Sequence, residues 1–356
     1  MNALNVNLDS NHKFPYKWYL KDGYPSKNIE SHNLKVFGSF LCGGGSTMGY
    51  KLAGYNHLGG IEIDKKLAMV YKENHNPKYY YNEDIRTFNL RDNIPDELFN
   101  LDIFDGSPPC STFSIAGSRE KAWGKEKVFR EGQAKQILDD LFFHWIKTVS
   151  ILKPKIAIAE NVSGLIKGNA KGYVIEINKE LNKIGYNVQL FLLNAASMGV
   201  PQKRERVFFI CSKKELNYPK LRLDFNEKSI MLKDFINPKN GLELKRNGKL
   251  FSDWTKRKDT DKNFGDICLR TEKKQKSFGR VLIKKNDYAP TIVSGNQYIY
   301  YDEFKEISNI DIQQIGSFPL DYNFFDIEPK YLIGMSVPPV MTAQIAHQIY
   351  LQWLSK

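Results

Sequence analysis

Short apolar runs alternate regularly with longer helix-compatible stretches through the first 212 residues. The apolar runs cover residues 36–41, 57–63, 101–104, 156–159, 187–193 and 207–211, and the helix-compatible stretches cover 47–53, 65–74, 133–152 and 173–184. Strands and helices that alternate in this way build a largely parallel sheet with helices on both faces. We therefore predict a doubly wound α/β domain whose ligands bind beyond the carboxyl ends of the strands.

The chain length predicts more than this one domain. At roughly 100 to 200 residues per domain, 356 residues correspond to about two domains. We predict an N-terminal extension at 1–33, the α/β domain at 34–212, a second and smaller domain at 213–288, and a C-terminal segment at 289–356.

Positive charge is concentrated in the predicted second domain. Residues 213–287 contain 21 basic and 11 acidic residues, whereas the rest of the chain contains 31 and 29. Lysine and arginine clusters alternate there with Phe251, Trp254, Phe264 and Phe278. A solvated lysine-rich face would have a similar composition, but the concentration in one segment favours a nucleic-acid partner.

Other composition features exclude several classes of protein. No apolar run approaches the roughly 18 residues of a membrane span, and the first ten residues lack a signal-peptide pattern, so we expect a cytoplasmic protein. The four cysteines are far apart in the sequence, with no Cys-x-x-Cys pair, which argues against a structural zinc ion and against a disulfide scaffold. We expect no metal.

The sequence predicts a nucleoside pocket at the end of the first strand. A strand runs into Cys42-Gly43-Gly44-Gly45 and then into a helix, which lets the backbone approach a ligand closely. Glu62 ends the next strand, where an acid can accept hydrogen bonds from ribose hydroxyls, and Asp84 follows the strand after that and could accept from an adenine amino group. The glycine spacing fits neither the dinucleotide fingerprint nor a P-loop. A tight turn without a ligand is the alternative.

Three further segments carry groups suited to covalent chemistry. Cys110 follows an apolar strand and two prolines, in a polar loop suited to a fixed nucleophile more than to a buried structural cysteine. Glu160 ends another apolar strand, on the same sheet edge if the strands are parallel. Arg204 and Arg206 precede the strand at 207–211, and strand alternation predicts that both point to one side, where they can hold an anion or a carbonyl.

Together these segments resemble the motifs of the cytosine-C5 DNA methyltransferases, in the same order and over most of the chain. The similar segments are Phe40-x-Cys42-x-Gly44-Gly45, Pro109-Cys110, Glu160-Asn161-Val162, Gln202-x-Arg204-x-Arg206 and Gly334-Met335-Ser336-Val337. The chain departs from the family pattern at Cys42, Ser111 and Met335, where glycine, glutamine and asparagine are usual.

The resemblance implies a Rossmann-like domain that binds S-adenosyl-L-methionine (AdoMet), with the last helix of the chain returning to it. The residues expected to bind AdoMet are Phe40, Cys42, Gly43, Gly44, Gly45, Glu62, Ile63, Asp84, Ile85 and Ser336.

The resemblance also implies a catalytic mechanism. Cys110 attacks C6 of a flipped cytosine, Glu160 hydrogen-bonds N3 and the exocyclic amine, and Arg206 holds O2. Arg204 supports the pocket or a phosphate, and the loop at 114–133 is expected to close over the base. Segment 213–288 is then the target-recognition domain for a specific sequence in double-stranded DNA.

We expect a monomer, and a cognate restriction endonuclease is plausible for a bacterial chain of this kind. Two alternatives stay open from the sequence. One is a tRNA cytosine-5 methyltransferase built on the same motifs, and the other is a DNA-binding relative that has lost catalysis.

Overall fold

The computed structural model describes residues 12–109, 140–166 and 171–355. Cys110, the loop at 114–133 and the first residues of the helix predicted at 133–152 lie outside the described residues. The chain divides into two compact units. The large unit contains Gly23–Asn194, Glu205–Phe225 and the residues from Met341 onward, and the small unit contains the segment that ends at Asp22, Ala195–Arg204 and Asn226–Val340.

A seven-stranded sheet forms the centre of the large unit. Its strands are β1 (Lys35–Ser39), β2 (Asn56–Ile61), β3 (Tyr79–Tyr81), β4 (Ile103–Gly106), β5 (Ile156–Val162), β6 (Tyr186–Asn194) and β7 (Glu205–Lys213). Their order is β3-β2-β1-β4-β5-β7-β6. Strand β7 is antiparallel to both of its neighbours, and the other pairings are parallel. The predicted doubly wound, largely parallel α/β sheet is therefore confirmed.

Helices connect these strands and cover the sheet. They are α1 (Gly45–Leu52), α2 (Lys65–His75), α3 (Ile85–Phe88), α4 (Leu141–Leu152) and α5 (Lys171–Lys183). Helix α2 begins where the Asp64 side chain accepts hydrogen bonds from the amides of Lys66 and Leu67, and it ends at His75, before Asn76, whose backbone is left-handed. The apolar runs read from the sequence form a continuous core that includes Phe37, Phe104, Trp145, Ala157 and Phe209.

The small unit has a sheet of its own. Its strands are β8 (Leu242–Glu243), β9 (Arg280–Ile283), β10 (Gln297–Tyr300) and β11 (Lys305–Glu306), in the order β8-β11-β10-β9. Helices α6 (Lys249–Thr255) and α7 (Phe264–Glu272) belong to the same unit, with α8 (Asn309–Ile315) and α9 (Pro329–Met335). The core around this sheet includes Phe264, Ile267, Leu282, Ile299 and Phe304.

The sheet of the small unit pairs residues from both sides of position 288, because β9 pairs with β10. The assignment of segment 213–288 to target recognition stays a prediction. The last helix, α10 (Pro339–Ile349), lies in the large unit from Met341 onward. None of the described helices is long and apolar enough to span a bilayer.

Candidate active site

The glycine turn, residues 40–45 between β1 and α1, has a left-handed backbone at three positions. Phe40, Cys42 and Gly44 have φ angles of 55°, 49° and 72°. Gly44 also has no room for a side chain, because a Cβ atom there would lie 2.1 Å from Nε2 of His75. Residues 43–45 are buried, and the missing side chain at Gly44 lets the turn pack directly against the imidazole of His75.

Cys42 occupies the position where the resembled family usually has glycine. Its φ angle of 49° lies in the region that glycine adopts without steric cost and that other residues adopt at a cost. The Cys42 amide donates a hydrogen bond of 2.8 Å to Oε2 of Glu62, which holds the residue in this conformation. This departure from the family pattern leaves the turn intact.

Glu62 lies directly after β2, and it is buried, with 7% of its surface exposed. Its Oε1 accepts a hydrogen bond of 2.9 Å from the Asp64 amide, so each carboxylate oxygen already binds one amide. Burial raises the pKa of Glu62 to about 7, although these amide bonds oppose the shift. Each oxygen has a second lone pair for a ligand hydroxyl. The neighbouring Ile63 is 39% exposed and offers an apolar surface at the same edge.

Asp84 lies three residues after β3 and caps α3. Its Oδ1 accepts from the amide of Arg86 at 2.8 Å, and its Oδ2 lies 2.9 Å from Nη1 of the same residue. Ile85 is buried. Asn82 donates to the backbone carbonyl of Glu62 at 2.7 Å, which joins the ends of β2 and β3. The structure therefore places Asp84 at the predicted edge, with its carboxylate already bound by Arg86.

The segment that leads to Cys110 is tied to the neighbouring strand. The described chain reaches Pro109, and Nδ2 of Asn161 donates a hydrogen bond of 3.0 Å to the carbonyl of Pro108. Asn161 is buried and follows Glu160 on β5. Because β4 and β5 are parallel, their carboxyl ends meet at one edge of the sheet. Glu160 and the approach to Cys110 are therefore at the same edge.

Glu160 and Arg206 form a mostly buried ion pair. Nε of Arg206 lies 2.8 Å from Oε1 of Glu160, and the two side chains are 13% and 12% exposed. Strand pairing produces this contact, because Arg206 on β7 lies opposite Val162 and thus diagonal to Glu160 on β5. Burial lowers the pKa of Arg206 and the Glu160 carboxylate opposes this shift, but a guanidinium stays charged. The ion pair thus holds the Glu160 carboxylate and the Arg206 guanidinium together at one edge of the large sheet.

Arg204 and Ser336 lie in the small unit. Strand β7 begins at Glu205, so Arg204 lies just before the strand and Arg206 lies within it. The buried guanidinium of Arg204 donates to the carbonyls of Ile292 at 3.3 Å and Gly334 at 3.0 Å. The Ser336 hydroxyl donates to the carbonyl of Leu332 at 2.9 Å. Both side chains thus hold the backbone of their own unit.

Comparison with known proteins decides the family. The model of the family described as C-5 cytosine-specific DNA methylase matches residues 36–351. The chain belongs to the C-5 cytosine-specific DNA methylase family. This membership confirms the family and the DNA cytosine methyltransferase activity expected from the motifs, and it does not favour the tRNA and non-catalytic alternatives. Membership also implies the use of AdoMet.

Relatives of the same family align over most of the chain. The type II methyltransferase M.FnuDI of Fusobacterium nucleatum is 26% identical over 352 residues, which cover 89% of this chain and 94% of the relative. M1.HphI of Haemophilus parahaemolyticus, also named a type II methyltransferase, is 26% identical over 335 residues, covering 89% of this chain and 87% of the relative.

A solved structure shares the fold of this DNA methylase. The S. pombe Dnmt2 methyltransferase superposes with a TM-score of 0.56 at 15% identity, covering 90% of this chain and 99% of the other. At this low identity the likeness supports the Rossmann-like fold alone.

Sequence reasoning about this C-5 cytosine methylase missed three buried polar residues at the site. Asn161 belongs to the quoted Glu-Asn-Val motif, but its contact with Pro108 was not foreseen. His75 contacts the glycine turn from the end of α2, with its Nε2 3.2 Å from the carbonyl of Gly43. Asp105 on β4 accepts a hydrogen bond of 3.1 Å from the hydroxyl of Tyr50. A signal existed for Asp105, since it is a carboxylate within an otherwise apolar strand.

The aromatic residues of the basic segment contribute mainly to its core. Phe264 is 1% exposed, and Phe251 and Trp254 pack partly buried against the core of the small unit. The Arg257 guanidinium lies 3.4 Å from the centre of the Trp254 ring, and it donates to the carbonyls of Trp254 and Tyr301. Phe278, at 48% exposed, is the member of the four predicted aromatic spacers that faces solvent most. The interleaved aromatics therefore stabilise the unit that displays the charges.

Proposed function

We propose that this DNA methylase transfers the methyl group of AdoMet to C5 of a cytosine flipped out of a specific duplex sequence, through a transient bond between Cys110 and C6. The observation that supports this proposal most directly is the edge of the sheet at β4 and β5. There the Glu160–Arg206 ion pair and the Asn161 bond to Pro108 hold a carboxylate, a guanidinium and the approach to Cys110 together.

The chemistry explains why a thiol is needed. C5 of cytosine is a weak nucleophile until a group adds at C6, and a cysteine thiolate is strongly nucleophilic. When Cys110 bonds to C6, electron density moves to C5, which then accepts the methyl group. Loss of the C5 proton to a base restores the 5,6 double bond and releases Cys110 as thiolate. The electron pair of the broken carbon–sulfur bond of AdoMet stays on sulfur, so the coproduct is S-adenosylhomocysteine.

Glu160 and Arg206 orient the ring in this mechanism. Glu160 binds N3 and the exocyclic amine, which stabilises the ring as density builds during thiol attack. Arg206 binds Glu160 through Nε at 2.8 Å and donates Nη1 to the Glu205 carbonyl at 2.8 Å, so its remaining donors can reach O2. Of the two roles predicted for Arg204, support of the pocket is favoured, because its guanidinium binds two backbone carbonyls.

The glycine turn and Glu62 fit AdoMet. AdoMet supplies the electrophilic methyl group when bound. Beside the turn, Glu62 offers buried carboxylate lone pairs to ribose hydroxyls, and Ile63 offers an apolar face to the adenine. Asp84 is the less favoured partner for the adenine amino group, since Arg86 already binds its carboxylate. No metal is needed for any of these steps.

DNA binding is assigned to the basic segment. Lys245, Arg246, Lys256, Lys258 and Lys274 are exposed and form no ion pair with any residue among those described. Unpaired exposed cations suit a phosphate backbone. We propose a monomer that acts in restriction-modification, because the relatives are type II methyltransferases. A cognate endonuclease and a cytoplasmic, DNA-associated location are parts of the same proposal.

Two experiments test the proposal. Bisulfite sequencing of plasmid DNA from cells that express the chain should show 5-methylcytosine within one short sequence, and the Cys110→Ala variant should show none. Purified enzyme should form a denaturant-stable adduct on duplex DNA with 5-fluorocytosine only when AdoMet is present, because fluorine cannot leave as a proton does. An adduct on tRNA but not on DNA, or none on either, would contradict the proposal.

A further inference from the structure

The glycine turn contains one backbone hydrogen bond of its own, from the Gly44 amide to the Leu41 carbonyl at 2.8 Å. Three of its residues are left-handed, and two of them, Phe40 and Cys42, carry a Cβ atom that disfavours this conformation. Such conformations persist only where the surrounding structure fixes them. Contacts from outside the turn must therefore stabilise it.

Two side chains contact the backbone of the turn from different elements. Glu62, after β2, accepts from the amide of Cys42 at 2.8 Å. His75, the last residue of α2, places Nε2 3.2 Å from the carbonyl of Gly43. The imidazole also fills the space that a side chain at Gly44 would need. One contact thus fixes an amide of the turn and the other a carbonyl.

The His75 ring is itself held in place. It is 5% exposed, and its centre lies 4.7 Å from the centre of the Tyr71 ring. Nζ of Lys51, on α1, donates to the His75 carbonyl at 3.0 Å. Burial, helped by the nearby Lys51 charge, lowers the pKa of His75 to about 3, so the ring is neutral at physiological pH. A neutral ring that bonds the Gly43 carbonyl through Nε2 must carry its proton on that nitrogen.

We propose that His75 is a positioning residue for AdoMet, which fixes the Gly43 carbonyl and the Gly44 backbone in the conformation that binds the cofactor. This inference rests on the proposed placement of AdoMet at the turn. His75 acts through the turn, whereas Glu62 binds both the turn and the ribose. Loss of the His75 contact therefore weakens cofactor binding but leaves the chemistry at Cys110 and Glu160 unchanged once AdoMet is saturating.

A matched pair of amide variants tests this role. The His75→Gln side chain can place its amide nitrogen near the Nε2 position and keep the bond to Gly43, whereas the shorter His75→Asn side chain places it near Nδ1 and loses that bond. We expect His75→Asn to raise the AdoMet dissociation constant and KM about tenfold, the usual effect of one lost hydrogen bond, with kcat and DNA affinity within about twofold of the original. His75→Gln should recover most of the affinity.

His57→Asn is the matched control. His57 is also a buried histidine of the large unit, but it contacts Thr47 and the Gly59 amide and not the turn. The His57→Asn variant should have a lower melting temperature but should not show the tenfold change in AdoMet affinity. Equal AdoMet affinity of His75→Asn and His75→Gln, or a fall in kcat at unchanged KM, would overturn the proposal. If His75→Asn does not fold, His75→Gln decides alone, since a tenfold loss there contradicts the role and near-original binding supports it.

Glu62→Gln separates this inference from the proposed function. If Glu62→Gln weakens AdoMet binding and His75→Asn does not, only the role of His75 is wrong. If neither variant changes AdoMet binding, the cofactor does not bind at this turn, and the placement of the cofactor site itself is wrong.

Discussion

Two regions of the molecule, the edge of the large sheet and the basic segment of the small unit, use charge in different ways. At the edge of the large sheet, charged groups are buried and satisfied by neighbours, as in the Glu160–Arg206 pair and the two amide bonds to Glu62. On the small unit, Lys256 and Lys258 are exposed and have no ion partner among the described residues. Buried pairs act over short range and are screened little by salt, whereas exposed cations act through a field that salt weakens. The first arrangement suits chemistry and the second suits association.

The largest effect should follow a change at the buried pair. Glu160→Gln keeps the size of the side chain but removes the carboxyl group that shares a proton with N3 of the cytosine, so we expect the methylation rate to fall by about 100-fold or more. DNA affinity should fall far less than the rate, because Glu160 contacts a single base and the contacts to phosphates supply most of the affinity. Single-turnover kinetics and DNA titration measure the two quantities.

Glu215→Gln is the control for that variant. Glu215 follows β7, and its side chain is 73% exposed beside Lys213. Its replacement should leave the rate unchanged. If Glu160→Gln lost rate and DNA affinity to the same extent, the Glu160–Arg206 pair would act in DNA binding. It would then not differ in role from the exposed cations of the small unit.

The second prediction concerns stability and Asp105. Burial, with a further contribution from the Glu160 charge, raises the pKa of Asp105 to about 7. The native state therefore keeps a proton that the unfolded chain has already released above about pH 4. The contribution of this proton to the free energy of unfolding is fully present below about pH 4 and is lost as the pH rises through about 7. The free energy of unfolding should fall between pH 5 and 8, and fall less steeply in Asp105→Asn.

Urea denaturation at several pH values measures this slope, with the exposed Asp92→Asn as control. Burial also raises the pKa of Glu62 to about 7, which adds to the slope in the same direction. An Asp105→Asn variant with the original slope would show that Asp105 is ionised throughout this range. The large unit would then tolerate a buried charge without a counterion.

How far the sequence predicts this structure depends on whether a property is local. Apolar runs such as residues 156–159 predict buried strands because burial acts on each run separately, and glycine at Gly44 predicts a close backbone approach for the same reason. The contacts of His75 and Asn161 join residues 32 and 53 positions apart. No local pattern records such pairs, so neither contact could be read from the sequence.

AdoMet binding should depend on pH through the ionisation of Glu62. Ionised Glu62 accepts hydrogen bonds from ribose hydroxyls, and the fraction ionised in the free enzyme rises as the pH passes through about 7. AdoMet affinity should therefore rise about tenfold between pH 6 and 8, since only the ionised fraction is competent. Calorimetric titration across this range measures it. The Glu62→Gln variant should bind AdoMet more weakly and with little dependence on pH. If its pH profile were the same as that of the original protein, Glu62 would not bind the cofactor.

The smallest effect should separate two kinds of basic residue within one cluster. Lys256 and Lys258 are exposed, so replacing both with Gln should reduce the magnitude of the slope of log affinity against log salt by about 2, near 0.9 for each lost phosphate contact. Arg257 lies between them in sequence but is stacked on Trp254 and bound to two carbonyls. Arg257→Gln should therefore lower the melting temperature and leave the salt slope nearly unchanged. If Arg257→Gln reduced the slope as much as the double variant, the Arg257 guanidinium would have to leave the Trp254 ring and bind phosphate in the complex. Packed and exposed cations of the small unit would then both contribute to DNA binding.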